Sequence, residues 1–520
     1  MKESFRQSMA WLHTWVGLLL GWLLFAMFAS GTSAYFQEEI TRWMEPEITG
    51  TADPAQSAEA AVKYLQTVAP DAKSWFITPP SSRAATTKVF WQPDGERRGR
   101  RGDTSATLDG NGNKVETRET RGGFFLYRFH FDLHYMPVIW ARYLVGAAAM
   151  FMLIAILSGI ITHKKIFADF FMLRFGKGQR SWLDAHNVTA VIALPFYLMI
   201  TFTGLVTLAT LYMPWGIAAN YANQDKFFEA VFAQSEDVER SGRTVPLAPV
   251  APMMRAASAQ WDGAGVGFLR VTNPGDSTAT VTLTRSPEGA IGARGETVTL
   301  DGTTGRPLGA SGAKGAALQT ESVMIGLHAG RFAEWGLRWL YFLSGVGGTI
   351  MVGSGLVLWT VKRRSRLPDP DRPHFGFRLV ERLNVAAIAG LGAGFACYFL
   401  ANRLLPLRMA NRADWEINSL FLAWGAMLLW AVVRPARRAW IEGLAATALL
   451  FAAVPVVNAL TTPRNLFASL FAGDWLFVAF DCIMLLLATG FGWAARKVAR
   501  RQPGRVSRRT SKNLEATVVN

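Results

Sequence analysis

The sequence predicts a polytopic α-helical membrane protein, and three observations support that fold class. The chain has 520 residues, of which 50% are hydrophobic, including 19 Trp and 34 Phe. Its apolar residues are concentrated in runs long enough to cross the roughly 30 Å hydrocarbon core of a bilayer. Its basic residues, which give a formal net charge of +16, are concentrated in particular loops between those runs. A soluble chain of ordinary composition does not separate its residues in this way.

Eight segments have the length and composition expected of a membrane span. They cover residues 10–36, 138–162, 184–213, 334–361, 384–402, 417–433, 440–460 and 474–495. The apolar run at the start is too long for a signal peptide and lacks a small-residue cleavage site. We therefore expect residues 1–37 to form an uncleaved first span.

The basic clusters predict the orientation of the spans. They precede the first span and follow the second, fourth, sixth and eighth, as at Lys164 and Lys165. Under the positive-inside rule these loops and both termini are cytoplasmic. This topology accounts for the charge, so we expect no nucleic-acid partner. One loop on the outer side disagrees, because it carries Arg403, Arg408 and Arg412.

Two long polar segments, residues 38–135 and 215–330, separate the early spans and are expected on the outer side of the membrane. Each contains an alternating, β-favouring stretch, at residues 104–108 and 280–284. Each also contains a glycine-rich turn after a Leu-Asp pair, at residues 109–112 and 301–305. The sequence therefore predicts two small α+β external domains.

The two halves of the early chain resemble copies of one unit, span–external domain–span, at residues 1–165 and 182–364. The second span of each copy ends in a small-residue pair, Ser158-Gly159 and Ser354-Gly355. We expect a four-helix core built from this duplicated unit, followed by about four additional C-terminal spans. The predicted boundaries are 1–37, 38–135, 136–163, 164–182, 183–214, 215–330, 331–361, 362–383, 384–496 and 497–520.

Histidines occupy equivalent positions in the two copies. His13 precedes Gly31, and His186 precedes Gly204, by the same 18 residues, about 27 Å along a helix. His134 and His328 each lie in a Leu-His pair shortly before the next span. Because parallel repeats pack about an axis normal to the membrane, we expect His13 to pair with His186 on the cytoplasmic side and His134 with His328 on the outer side.

Two imidazoles at each face suit one kind of metal centre best. Zinc and copper sites need further protein ligands, and neither Cys nor Asp/Glu stands at ligand spacing near these histidines. A b-type haem needs only two axial histidines from the protein. The sequence therefore predicts two haem b groups with His13, His186, His134 and His328 as the axial ligands of the iron.

Two further assignments accompany this prediction. His163 lies at the cytoplasmic boundary and remains an alternative to His13 as the partner of His186. Arg142, Arg331 and Arg338 follow the outer histidines and are the expected partners of the haem propionates. No catalytic side chain beyond the haems is predicted.

The stretches that carry these histidines resemble the PepSY-associated transmembrane family. They include WLH at 11–13, SGIITHKKIF at 158–167, WLDAHN at 182–187 and LPF at 194–196. The similar proteins include iron-regulated ferrisiderophore reductases of the FoxB and PiuB types. The resemblance implies PepSY-like periplasmic domains, two b haems and a role in releasing iron from imported siderophores.

The expected function is that of an inner-membrane dihaem b oxidoreductase. It would carry electrons from the cytoplasmic side to the periplasm, reduce a ferric siderophore or similar metal chelate there, and release the iron. No nucleotide-binding loop is visible, so quinol or a separate redox protein would donate the electrons. The sequence is also compatible with a homodimer. The alternatives are a siderophore or metal-chelate permease and a sensor, both without redox activity.

Overall fold

The computed structural model describes residues 4–50, 52–93, 104–163, 173–174, 176–231, 238–312 and 315–501. The basic residues Lys164 and Lys165, and the tail after residue 501, lie outside the described residues. The chain divides into two compact units. The first unit contains Met1–Val380 with Ala401–Asn418, and the second contains Glu381–Leu400 with Ser419–Asn520.

Helices dominate the described part of the chain. They are α1 (Phe5–Leu19), α2 (Gly21–Ala34), α3 (Gln37–Met44), α4 (Pro54–Val68), α5 (Gly122–Asp132), α6 (Val138–Thr162), α7 (Gln179–Ile192), α8 (Leu194–Thr207), α9 (Ala209–Tyr212), α10 (Trp215–Asn220), α11 (Gln224–Val231), α12 (Val250–Gln260), α13 (Ala316–Ala329), α14 (Trp335–Arg364), α15 (Phe375–Val385), α16 (Leu391–Leu404), α17 (Arg412–Val433), α18 (Ala436–Thr461), α19 (Leu466–Ala472) and α20 (Trp475–Arg500). A π-helical turn, Ala386–Gly390, joins α15 to α16.

The prediction of a polytopic helical membrane protein is confirmed. Six helical stretches are long and apolar enough to cross a membrane: α6, α14, α15 through α16, α17, α18 and α20. Two further pairs, α1 with α2 and α7 with α8, qualify only as bent spans, with bends of 65° and 69°. The described residues therefore hold six to eight candidate spans.

The bend between α7 and α8 has a cause in the sequence. Pro195 is the second residue of α8, so it has no N–H to donate and its ring crowds the carbonyl of Val191 one turn earlier. The bend between α1 and α2 begins at Leu20, directly before Gly21. A Cβ on Gly21 would lie 2.7 Å from the Leu356 side chain, so this glycine allows α14 to approach closely.

Seven strands form one antiparallel sheet. The strands are β1 (Ser74–Thr78), β2 (Thr87–Gln92), β3 (Ser105–Leu108), β4 (Val266–Thr272), β5 (Thr280–Arg285), β6 (Thr297–Asp301) and β7 (Pro307–Ser311). Their order is β3-β2-β1-β4-β5-β6-β7, so β1 of the first polar segment pairs with β4 of the second. The predicted strands and both glycine turns are present. The expectation of two separate modules is wrong, because the segments share one sheet.

Helices α4 and α12 cover one face of this sheet. Leu65 of α4, Trp75 of β1 and Leu269 of β4 are fully or almost fully buried in the shared core. Aromatic rings line the other face, where Phe76 stacks between Phe90 at 5.3 Å and Phe268 at 6.2 Å. Burial across both segments explains why neither forms a module of its own.

The helices of the early candidate spans pack around a common apolar core. Helix α1 packs on α6, α7 packs on α14, and α2 contacts both α14 and α5. Their shared core includes Leu24, Ala148, Met152, Tyr197 and Met351. Tyr197 is fully buried, and its hydroxyl donates to the Thr189 carbonyl at 3.0 Å.

A buried polar network in the first unit accounts for two of the three arginines that disagreed with the predicted orientation, while Arg408 is exposed. Arg412 and Glu416 are fully buried and form an ion pair on α17. Asn402 donates to Glu416 at 2.8 Å, and Arg403 lies 3.8 Å over the Trp43 ring. Arg412 and Arg403 are thus held inside the protein, where the loop-charge rule does not apply.

The second unit contains most of α16 and α17 together with α18, α19 and α20. Helices α18 and α20 pack along each other, and α18 contains Pro455. Asn458 of α18 donates to Asp481 of α20 at 3.1 Å, and both residues are fully buried. This contact gives the buried carboxylate of Asp481 a polar neighbour.

Candidate functional site

Two histidines of different spans face each other in what we call the first imidazole pair. His13 comes from α1 and His186 from α7. Their ring centres are 6.1 Å apart and their ring planes are inclined by 68°. The structure thus brings together the two histidines that the spacing paired.

The second imidazole pair contains a residue that the sequence did not select. His328 of α13 faces His130 of α5, with ring centres 6.2 Å apart and planes inclined by 31°. The His134 ring lies instead against Phe125 and Tyr135. The structure therefore replaces His134 by His130 as the neighbour of His328.

The end of α5 explains this correction. The helix stops at Asp132, and both Leu133 and His134 have positive φ angles, 51° and 53°. His130 lies within the last turn of its helix, as His328 does in α13, which ends before Gly330. If the two halves are aligned on the ends of α5 and α13, His130 matches His328. The sequence does not reveal the end of α5, because leucine rarely occupies a left-handed helix cap.

All four imidazoles are held by the same contact, made by Nδ1. This nitrogen donates to a main-chain carbonyl of another helix in each case: His13 to Ala155 at 2.8 Å, His186 to Met351 at 2.8 Å, His130 to Met27 at 2.7 Å and His328 to Ile200 at 2.9 Å. A carbonyl oxygen only accepts, so Nδ1 carries the hydrogen. The other nitrogen, Nε2, then has a lone pair for a metal ion.

Each imidazole also lies against a glycine four residues after the carbonyl that it binds. A Cβ at these glycines would meet the ring: Gly159 at 3.2 Å from His13, Gly355 at 3.2 Å from His186, Gly31 at 2.7 Å from His130 and Gly204 at 2.8 Å from His328. We call these four residues the contact glycines. All four stand out in the sequence: Gly159 and Gly355 in Ser-Gly pairs, and Gly31 and Gly204 at the ends of the 18-residue intervals. His13, however, contacts Gly159 rather than Gly31.

His163, the alternative partner of His186, has a different neighbour. The amide Nδ2 of Asn187 donates to its Nε2 at 2.9 Å. Asn187 follows His186 in α7, so this contact places His163 near the first imidazole pair. The geometry favours His13 as the ring opposite His186.

The three predicted cationic partners differ in their surroundings. Arg338 is buried and donates to Glu39 at 3.1 Å and to the Ala333 carbonyl at 2.9 Å. Arg142 donates to Asp132 at 3.0 Å. Arg331 is exposed, with its guanidinium 6.0 Å from the Tyr127 ring centre. Among the described residues Arg331 is the one of the three whose guanidinium makes no ion pair with a carboxylate.

The arrangement supplies two metal ligands in each pair. Among the described residues no group of three or more His, Cys, Asp and Glu side chains could hold a metal ion. A metal between two imidazoles of either pair would therefore take its other ligands from outside the polypeptide.

The comparisons with known proteins bear on the same residues. Residues 10–362 match the family described as the PepSY-associated TM region. This segment contains both imidazole pairs and all four contact glycines. The chain is also 25% identical over 333 residues to an uncharacterized protein of Pseudomonas aeruginosa, and this match covers 60% of the chain and 82% of that protein. The chain belongs to the family of the PepSY-associated TM region.

Proposed function

We propose that this protein is a transmembrane oxidoreductase that holds two b haems and passes electrons from the cytoplasmic side of the bacterial inner membrane to the periplasm. There it reduces a ferric siderophore or a related metal chelate. The separation of the imidazole rings, about the same in both pairs, is the observation that carries the proposal.

The ring separation fits two ligands on one metal. A bond from a metal to an imidazole nitrogen is about 2.0–2.1 Å, so rings on opposite sides of a metal have centres roughly 6 Å apart. The observed separations are 6.1 and 6.2 Å. The two inclinations, 68° and 31°, are both compatible, because each ring can rotate about the common metal–nitrogen axis.

The surroundings of the rings fit a haem better than a bare ion. A haem b would bring the other nitrogen ligands of its iron with it and would need only two imidazoles from the protein, which each pair can provide. The contact glycines remove side chains where the rings must lie close to a helix. When bound, the haem supplies reversible one-electron chemistry. His13 and His186 would hold one haem, and His130 and His328 the other.

The side chains of this protein then position and separate the two centres. His13 lies near the start of α1, and Gly31, which contacts His130, lies 18 residues later near the end of α2. That is about 27 Å along the helix path, shortened by the bend. The two pairs are therefore attached to opposite ends of one bent span, as transfer across a membrane requires.

The duplication supports the same proposal. Each pair takes one histidine from the segment before residue 165 and one from the segment after residue 182. Each half also supplies one contact glycine to each pair. We propose that the four-helix core arose from two copies of one unit, with the basic loops on the cytoplasmic side and the sheet in the periplasm.

The chemistry of the substrate follows from its donor atoms. Siderophores bind Fe(III) through hard oxygen donors, which hold Fe(II) far less well, so transfer of one electron weakens the complex. The exposed Arg331 lies three residues after His328 and could attract an anionic chelate or a haem propionate. Quinol or a separate redox protein would donate the electrons, and a homodimer is compatible with this function.

Purified protein tests the proposal directly. We expect a Soret band that shifts on reduction with dithionite, and two haems per chain. His186→Ala and His328→Ala should each retain one haem, while His374→Ala, in an exposed loop, should retain both. Membranes that contain the protein should reduce a ferric siderophore faster than membranes without it. A folded, colourless protein would contradict the proposal and favour a permease or a sensor.

A further inference from the structure

The carbonyls that accept from the imidazoles share a second feature, a nearby hydroxyl. Each contact glycine follows a Ser or Thr, in the pairs Ser158-Gly159, Ser354-Gly355, Ser30-Gly31 and Thr203-Gly204. In a helix such a hydroxyl bonds back to a carbonyl three or four residues earlier. Three residues earlier is the same carbonyl that holds the imidazole.

In the first imidazole pair the hydroxyls lie closer to those carbonyls than in the second. Ser354 Oγ donates to the Met351 carbonyl at 3.0 Å, and this oxygen also accepts from His186. The helical N–H of the following glycine is directed at the same oxygen, so three donors compete there for two lone pairs. Ser158 Oγ lies 3.1 Å from the Ala155 oxygen, which accepts from His13, but it bonds mainly to the Ile154 carbonyl at 2.7 Å. The sharing is therefore strongest at Ser354 and weaker at Ser158.

In the second imidazole pair the sharing is weaker. Ser30 Oγ lies 3.4 Å from the Met27 oxygen and bonds mainly to Ala26 at 2.6 Å. Thr203 Oγ1 lies 3.4 Å from the Ile200 oxygen and bonds mainly to Met199 at 2.7 Å. The oxygens of Met27 and Ile200 are thus more available to their imidazoles.

Thr203 makes one additional contact. Its Oγ1 lies 3.3 Å from Nδ1 of His328, so the ring can divide its N–H between the hydroxyl and the Ile200 carbonyl. This contact makes Thr203 a direct neighbour of the imidazole.

We propose that these four hydroxyls are positioning residues that set the donor strength of the imidazoles. This inference rests on the proposed function. An imidazole whose N–H is held firmly by a carbonyl is a more basic metal ligand, and a more basic ligand stabilises the oxidised metal. A hydroxyl that shares the carbonyl weakens that hold. The closer sharing at the first pair gives the two centres unequal potentials, with the first pair holding its metal less strongly in the oxidised form.

Removal of one hydroxyl tests the inference. In haem-loaded protein we expect Ser158→Ala and Ser354→Ala to keep two haems per chain and to shift the midpoint potential of one centre to a more negative value. Ser354→Thr keeps a hydroxyl and should return the potential close to that of the unmodified protein. Spectroelectrochemical titration measures both centres, and electron paramagnetic resonance of the oxidised form reports the ligand field separately.

A matched control is available on α2. Ser33 Oγ donates back to the Ala29 carbonyl, four residues earlier in its helix, at 2.9 Å, and in the described structure no imidazole binds that oxygen. Ser33→Ala should leave both potentials unchanged. At the second pair Ser30→Ala should produce a smaller shift than Ser354→Ala.

Two results would overturn the inference while the proposed function stands. One is an unchanged potential in Ser158→Ala and Ser354→Ala, and the other is a shift as large in the Ser33→Ala control. Absence of haem from the unmodified protein would overturn the proposed function itself, together with this inference.

Discussion

Replacement of Gly31 by alanine is the sharpest perturbation of the second imidazole pair. A Cβ at this position would lie 2.7 Å from Nδ1 and 2.8 Å from Cε1 of His130. Atoms of this kind in contact are separated by about 3.5 Å or more. The imidazole of His130 would therefore have to withdraw by about 0.8 Å.

Such a withdrawal is larger than the site can absorb. The Met27 carbonyl, which lies on α2 with Gly31, accepts from Nδ1 of His130 at 2.7 Å. The same displacement would lengthen this distance to about the limit of a hydrogen bond. Distances between a metal and its ligands tolerate only about 0.2 Å. We expect Gly31→Ala to lose the second haem and to retain the first.

The contact glycines of the first pair should respond less. A Cβ on Gly159 would lie 3.2 Å from His13, so the ring need withdraw by only about 0.3 Å. We expect Gly159→Ala to retain both haems with an altered spectrum. Gly425→Ala is the control for helix stability, because a Cβ there meets nothing within 4 Å. Alanine favours a helix over glycine by about 1 kcal/mol, so neither helix should be weakened.

The haem content per chain, measured as the pyridine haemochrome, decides the outcome. The reduced-minus-oxidised spectrum then shows which centre remains. If Gly31→Ala keeps two haems and an unchanged spectrum while His130→Ala loses one, the close contact between this glycine and the ring does not govern the site.

Three further predictions concern the corrected ligand, the buried network and one turn. His130→Ala should lose one haem and His134→Ala should retain two; the opposite result would restore the ligand chosen from sequence. Glu416→Ala leaves the fully buried Arg412 without its carboxylate partner and should lower the free energy of unfolding by about 3–5 kcal/mol. Asp414→Ala removes one partner of an exposed ion pair and should lower it by at most about 1 kcal/mol. Thermal unfolding in detergent measures both variants. Equal losses in the two variants would refute the special cost of the buried pair. The Asp301 carboxylate accepts hydrogen bonds in the turn after β6, chiefly from the Thr303 hydroxyl and also from the N–H of Thr304. These bonds hold the pKa of Asp301 below its usual value. The carboxylate therefore stabilises the fold above its unfolded pKa of about 3.9, and this stabilisation is lost as the pH falls through the lower folded pKa. Asp301→Asn should reduce the loss of the free energy of unfolding at acid pH, and an unchanged loss would contradict this.

Much of the site was visible in the sequence because it depends on regular spacing. The matching intervals that begin at His13 and His186 marked both histidines of the first imidazole pair and two of the contact glycines, Gly31 and Gly204. The intervals did not reveal which histidine contacts which glycine. That depends on the packing of α1 on α6 and of α7 on α14, which joins residues more than 140 positions apart.

The sequence by itself determined the spans, the polar segments and the first imidazole pair, because long apolar runs and helical repeats are local properties of the chain. Only the tertiary structure decided the second pair, since the end of α5 lies at a leucine in the left-handed region and turns His134 away. It also decided that the two polar segments share one sheet, because pairing between β1 and β4 joins residues nearly 200 positions apart. Contacts over such distances depend on the burial of whole faces, which no local pattern encodes.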